Sequence, residues 1–138
     1  IVVINGNKNE EFEKKILKIS NNIKIFYSKY IPSNIDQFKN KKLFAFAGIG
    51  NPKNFFDLLI ENDLNLEKNL SFPDHYNFSK LELQKMIDIS LKYNLELITT
   101  EKDYHRIKDY KLKSIKYLKI KLEISEKERF MSQILNCL

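Results

Sequence analysis

Glycine and proline are scarce here, three of each in 138 residues, and tryptophan is missing altogether. That scarcity excludes collagen-like and low-complexity chains, and it makes each glycine and proline a marker of a specific turn. A single cysteine, Cys137, excludes an internal disulfide and fits a reducing compartment. Histidine occurs only at positions 75 and 105, and neither paired cysteines nor a His-Glu-x-x-His spacing is present. A metal site built by this chain is therefore not expected. No apolar run approaches the roughly 18–20 residues that cross a bilayer. Ile1–Ile4 is too short for a signal peptide and has no basic stretch before it. Because the chain opens with isoleucine inside that run, we expect a fragment or processed form of a longer protein.

What the chain does have is a globular composition, 43% hydrophobic and 30% charged, and enough length to bury its own core. The formal net charge of +6 attracts anions: nucleic acid, anionic lipid or a phosphorylated substrate. Lysines that merely solvate helix faces give the same number. The lysines are spread along the whole chain and the aromatics fall at core spacing. Nucleic acid is therefore not an expected partner.

The pattern of apolar residues predicts alternating strands and helices. Ile1–Ile4 reads as a buried strand closed by Asn5-Gly6, and residues 9–20 as a helix with Phe12, Ile16, Leu17 and Ile19 at helical spacing. Ile23–Ile31 alternates as a strand with both faces partly covered, or as a connecting ribbon. Pro32-Ser33-Asn34 breaks it, so the best internal boundary falls within 31–42, dividing the chain into 1–31 and 32–138. Beyond it, Leu43–Ala47 is a continuous apolar strand ended by Gly48-Ile49-Gly50. Asn51-Pro52 then opens a helix, with Asn as N-cap and Phe55, Phe56, Leu59 and Ile60 as its buried stripe. Leu64–Phe72 is a weaker strand. Ser79-Lys80-Leu81-Glu82 has capping-box spacing and starts a helix carrying Leu83, Ile87 and Leu91 inward. Leu95–Thr99 and Ile115–Leu122 read as further strands, with a loop and short helix over 100–107 and a last helix over 125–135. This alternation predicts an α/β fold, a Rossmann-like three-layer sandwich around a mostly parallel sheet.

In such a sheet, ligands bind beyond the carboxyl ends of the strands. Three polar clusters fall at those ends: Gly48-Ile49-Gly50-Asn51, Phe72-Pro73-Asp74-His75, and Thr99-Thr100-Glu101-Lys102-Asp103. The first precedes a helix N-terminus and suits an anion, or it is a tight turn that needs small residues. It is neither a phosphate loop with Gly-Lys-Ser/Thr nor the dinucleotide fingerprint. In the second, His75 is a candidate proton carrier or carboxylate-orienting group, while a loop-capping Asp74 beside a surface His75 fits equally. In the third, Lys102 could meet a phosphate while Asp103 or Glu101 holds Lys102 or Arg106. Thr100 as a helix N-cap, with acids on the first turn, is the competing reading.

Together these segments, with Phe55-Phe56 after the first and Arg106 after the third, resemble the tetraacyldisaccharide 4'-kinase family. The resemblance covers most of residues 43–107, and Ile1–Gly6 also looks like the last strand of that family's N-terminal lobe. It implies a P-loop kinase-type protein of two lobes, with Ile23–Ile31 in the connecting β-ribbon and 32–138 as the C-terminal lobe. It implies transfer of the γ-phosphate of ATP, with Mg²⁺, to the 4'-hydroxyl of a tetraacylated disaccharide 1-phosphate in lipid A biosynthesis. The partners implied are the lipid A disaccharide precursor, the N-terminal P-loop lobe of the same protein and an anionic membrane surface. The location implied is the cytoplasmic face of the inner membrane of Gram-negative bacteria. By the same resemblance His75 pairs with a catalytic base aspartate of the other lobe, and Asp74 positions His75 or its loop. Gly48, Gly50, Asn51, Thr100, Lys102, Asp103 and Arg106 are the corresponding binding or supporting residues. Where the family often has a second histidine, this chain has Tyr76. A non-catalytic module that binds anionic lipid or nucleic acid is the alternative.

Overall fold

The computed structural model describes residues 1–136, so Cys137 lies outside the described residues. The chain divides into two compact units, Pro32–Lys119 and a second made of residues 1–31 with 120–138. The 32–138 block expected from the sequence therefore loses its last 19 positions to the unit that contains the N-terminus.

In Pro32–Lys119, strands β3 (Lys42–Ala47), β4 (Asn65–Ser71), β5 (Glu96–Thr100) and β6 (Ile115–Leu118) form one sheet in the order β4-β3-β5-β6. All three pairings are parallel. Helix α2 (Pro52–Glu61) links β3 to β4, and α3 (Lys80–Lys92) carries the chain back to β5, on the other side of β3. The order therefore reverses between β3 and β5, and the crevice beyond their carboxyl ends is where such sheets bind ligands.

The sheet is covered on both faces, which is why β3 reads as an unbroken apolar run. Leu43, Ala45 and Ala47 point to one face and pack with Phe55, Phe56 and Leu59 of α2. Phe44 and Phe46 point to the other and pack with Leu83, Met86 and Ile87 of α3. Each large side chain so buried contributes about 1.5–3 kcal/mol. Edge strand β4 is polar instead, with only Leu66 and Leu70 half-buried, as an unpaired sheet edge requires. Ile60 and Leu91, expected to face inward, are 57% and 71% exposed. Both sit one position past a fully turned apolar stripe, and Ser90 takes the buried place beside Leu91, its hydroxyl bonded to the Ile87 carbonyl at 2.7 Å.

The expected strand over 115–122 is broken at Lys119. The Asn34 amide donates to the Tyr117 carbonyl at 3.0 Å, and its oxygen accepts from the Lys119 N–H at 2.8 Å. Ser33 N–H adds a bond to the Lys119 carbonyl at 2.9 Å. The Pro32-Ser33-Asn34 break thus consumes the backbone groups that would have continued β6. Its continuation, β7 (Ile120–Ile124), joins the other unit.

In that other unit, β1 (Val2–Asn5) pairs in parallel with β2 (Ile25–Pro32), and β7 lies on the far side of β2. The 23–31 segment is thus a middle strand, with Phe26 and Ser28 buried on one face, rather than half of a two-stranded ribbon. Helix α1 (Glu10–Ile19) is capped by the Asn9 side chain, which accepts from Phe12 N–H at 2.9 Å, and it buries Ile16. Phe12 and Ile19 stay exposed. Helix α5 (Lys127–Leu135) sets Phe130 edge-on against Phe26, ring centroids 5.2 Å apart. No helix of the described residues is long and apolar enough to cross a membrane.

Candidate functional site

The three strand-end clusters meet at the reversal between β3 and β5. After β3 the chain turns through Gly48, and its N–H donates to Asp103 Oδ2 at 2.8 Å. Asp103 comes from helix α4 (Glu101–Ile107), which starts directly after β5, and its side chain is fully buried. The Thr100 hydroxyl caps α4: it accepts from Asp103 N–H at 3.1 Å and donates to Asp103 Oδ2 at 2.9 Å. Arg106, one turn on, reaches Asp103 Oδ1 at 3.2 Å and the Gly48 carbonyl at 3.3 Å. A buried carboxylate is tolerable only when paired and hydrogen-bonded, and these contacts meet that condition. Of the readings open for this cluster, the capped helix start with Asp103 holding Arg106 is the one realised. Asp103 and Thr100 spend their polar atoms inside the protein.

Gly48 is glycine for a packing reason. A Cβ there would lie 3.2 Å from both Phe78 Cζ and Tyr76 Cβ. Asn51 stands at the N-cap position of α2 but makes no capping bond with its side chain, contrary to expectation. Pro52 supplies the start instead, its fixed φ suiting the first helical position.

The Asp74-His75 cluster has the opposite character. The loop after β4 closes a tight turn with Tyr76 N–H on the Pro73 carbonyl at 3.2 Å. His75 occupies the third turn position with φ of 58°. This left-handed conformation favours glycine or asparagine, and a larger side chain is held there at a cost of order 1 kcal/mol. Asn40, Asp63, Asn94, Lys111 and Glu126 are also left-handed, Asp63 and Asn94 just after helices, where such a residue is routine. His75 ends no helix. Its N–H bonds to Asp74 Oδ1 at 2.9 Å and to the Gly48 carbonyl at 3.2 Å, while its side chain is 70% exposed.

His75 Nε2 lies 3.7 Å from Asp74 Oδ2, beyond hydrogen-bond length, so the two side chains form no bonded dyad. Asp74 Oδ1 instead faces Lys102 Nζ at 3.4 Å. Partial desolvation pushes the Asp74 carboxyl upward, but the Lys102 hydrogen bond, the His75 and Lys102 charges and the His75 amide outweigh it. The net shift is below the ordinary carboxylate value. Lys102 thus faces Asp74 in a long, exposed pair, and its half-exposed ammonium remains within reach of solvent.

Sequence reasoning read Glu82 only as the acid of a capping box and left Tyr76 without a role; it missed Phe78 and the bond that joins Tyr76 to Glu82. Tyr76 donates its hydroxyl to Glu82 Oε1 at 2.6 Å, and its ring packs on Phe72 and Phe78 at centroid distances of 4.8 and 5.1 Å. Glu82 also closes the capping box of α3, accepting from Ser79 N–H at 2.9 Å while its own N–H bonds to Ser79 Oγ at 3.2 Å. The Ser79 hydroxyl, the Tyr76 hydroxyl and the Ser79 amide hold the Glu82 carboxyl down at about 2. The aromatic spacing around 72–78 was the available signal for this tie between loop and helix.

A family model for tetraacyldisaccharide-1-P 4'-kinases (LpxK) matches residues 1–138. The chain belongs to this family. Among its relatives, the tetraacyldisaccharide 4'-kinase of Pelagibacter ubique is 38% identical over 137 residues, 97% of this chain and 44% of the relative. That of Rickettsia typhi is 38% identical over 112 residues, 80% of this chain and 34% of the relative. The chain therefore spans less than half the length of these curated relatives. Its fold is similar to the crystal structure of an "apo" form of LpxK from Aquifex aeolicus in complex with ATP. The TM-score is 0.53 at 15% identity, covering 98% of this chain and 51% of that one.

For a 4'-kinase family member, Tyr76 now has a physical account: it ties the His75 loop to α3, a task a second histidine at that place would not perform in the same way. The residues present do not fit a nucleotide with its metal ion. The Gly48–Asn51 turn carries no Lys-Ser/Thr, and the Asp74 carboxylate lies 3.6 Å from where a Gly50 Cβ would stand, which disfavours a phosphate there. Among the described residues no group of three His, Cys, Asp or Glu could hold a metal.

Proposed function

We propose that this chain is the part of a tetraacyldisaccharide 4'-kinase that supplies His75 to the reaction. The whole enzyme would phosphorylate the 4'-hydroxyl of a tetraacylated disaccharide 1-phosphate with ATP, in lipid A biosynthesis. We place ATP, Mg²⁺ and the catalytic base on the portion of the relatives' length that this chain does not span. The observation that carries the reading is His75 itself, an exposed imidazole held on a left-handed turn at the sheet's reversal point. There it orients a carboxylate base supplied by the rest of the enzyme, which takes the proton of the 4'-hydroxyl as that oxygen attacks the γ-phosphorus and ADP leaves. Asp74 fixes the turn through its bond to the His75 N–H, and Lys102 fixes Asp74.

The test is turnover in the assembled kinase, this chain together with the portion of the relatives it does not span. His75→Asn keeps a residue that tolerates the left-handed backbone and should lower turnover about 100-fold. Turnover within twofold of the parent would remove His75 from the reaction. This chain by itself should neither hydrolyse ATP nor bind it tightly, and robust hydrolysis would contradict the placement of ATP.

We also place the enzyme at the cytoplasmic face of the bacterial inner membrane. The net charge of +6 supports contact with an anionic surface. Flotation with anionic vesicles at low salt tests this. Binding to RNA with a steep salt dependence, and none to vesicles, would favour the non-catalytic alternative.

A further inference from the structure

Gly48 is held at both of its backbone groups by one ion pair. Its N–H is bonded to Asp103 Oδ2 at 2.8 Å and its carbonyl to Arg106 Nη1 at 3.3 Å, while Arg106 and Asp103 hold each other at 3.2 Å. A carbonyl oxygen has two lone pairs, and the second one here accepts the His75 N–H at 3.2 Å. The same oxygen thus accepts from both the guanidinium and the left-handed turn. Phe78 and Tyr76 pack so closely on the Cα of Gly48 that this peptide has little room to move toward them. The Arg106 bond also satisfies the buried Gly48 carbonyl. The same bond fixes one of the two acceptors on which the His75 N–H rests, the other being Asp74 Oδ1.

We propose that Asp103 and Arg106 are positioning residues for His75, acting through the two backbone groups of Gly48. The link to chemistry rests on the kinase reading above, whereas the link to the His75 backbone does not. Asp103 is fully buried, and the Nη1 of Arg106 is committed to Gly48 and Asp103. Their effect is on where the imidazole points.

The experiment combines hydrogen exchange of single amides, read by NMR on the protein, with kinetics of the assembled kinase. Arg106→Leu should speed exchange of the His75 amide several-fold relative to the Leu83 and Ile87 amides of α3, because one of its two acceptors, the Gly48 carbonyl, is released while Asp74 Oδ1 at 2.9 Å remains. Turnover should fall about 10- to 100-fold with KM within about twofold, since misplacing a catalytic group costs rate rather than binding. Leu59→Ala, a core truncation in α2 on the opposite face of the sheet, is the control for stability alone and should leave the His75-to-α3 exchange ratio and turnover per folded molecule unchanged. Arg106→Lys keeps the charge facing Asp103 and should fall between parent and Arg106→Leu, and it serves if the leucine variant does not fold. Equal acceleration of the His75 and α3 amides, or a turnover loss no larger than that of Leu59→Ala, would overturn the proposal. If the His75 amide responds while His75→Asn leaves turnover intact, the kinase reading fails and the positioning of the backbone stands.

Discussion

Two clusters at the same sheet edge are built on opposite principles. Thr100, Asp103, Arg106 and Gly48 form a closed set in which every named polar atom has a partner and the central carboxylate sees no solvent. Asp74, His75 and Lys102 form an open set: the ion pair is long, the carboxylate is 45% exposed and the imidazole is 70% exposed. A closed polar set in a low-dielectric interior is costly to break and has nothing left to offer a ligand. An open set contributes little to folding, and its groups stay available. Carboxylate and cation at strand ends are thus poor guides to function until burial divides them.

The largest expected effect in breaking this contrast is on the closed side. Asp103→Ala leaves Gly48 N–H and Arg106 without their acceptor and should cost about 3 kcal/mol in urea unfolding. Next comes Gly48→Ala, whose methyl must intrude on Phe78 and Tyr76, at about 1–2 kcal/mol. Glu82 offers a pH handle on the tie between loop and α3. Its folded-state pKa of about 2 lies below the ordinary 4.5, so its contribution is complete above the latter and is lost as pH falls through the former. Glu82→Gln should lower the urea midpoint at neutral pH, and the difference from the parent should shrink across that window. Smallest of all, Lys102→Ala should leave the thermal midpoint unchanged, because an exposed pair at 3.4 Å is screened by water.

The sequence made the parallel sheet, the order of its clusters and the Ser79 cap readable because each is announced locally. An unbroken run such as 43–47 marks a strand covered on both sides, and the Ser79–Glu82 spacing is the cap itself. Ile60 and Leu91 misled because a helical stripe narrower than its run of apolar residues leaves the last ones outside. The end of β6 was illegible for another reason: Asn34, 83 positions away from Tyr117, takes the bonds that end it. Distance in sequence also hid the division of labour at the site. Nothing local tells that Asp103 is sealed against Gly48 while Asp74 is not, since that follows from β3 and β5 being neighbours.

The most direct test is a paired measurement on His75→Asn in the assembled kinase: turnover, and the urea midpoint of the same preparation. Turnover reduced about 100-fold with the midpoint unchanged is the result expected of an open group that serves chemistry. A midpoint that falls while turnover per folded molecule stays at the parent level would contradict it.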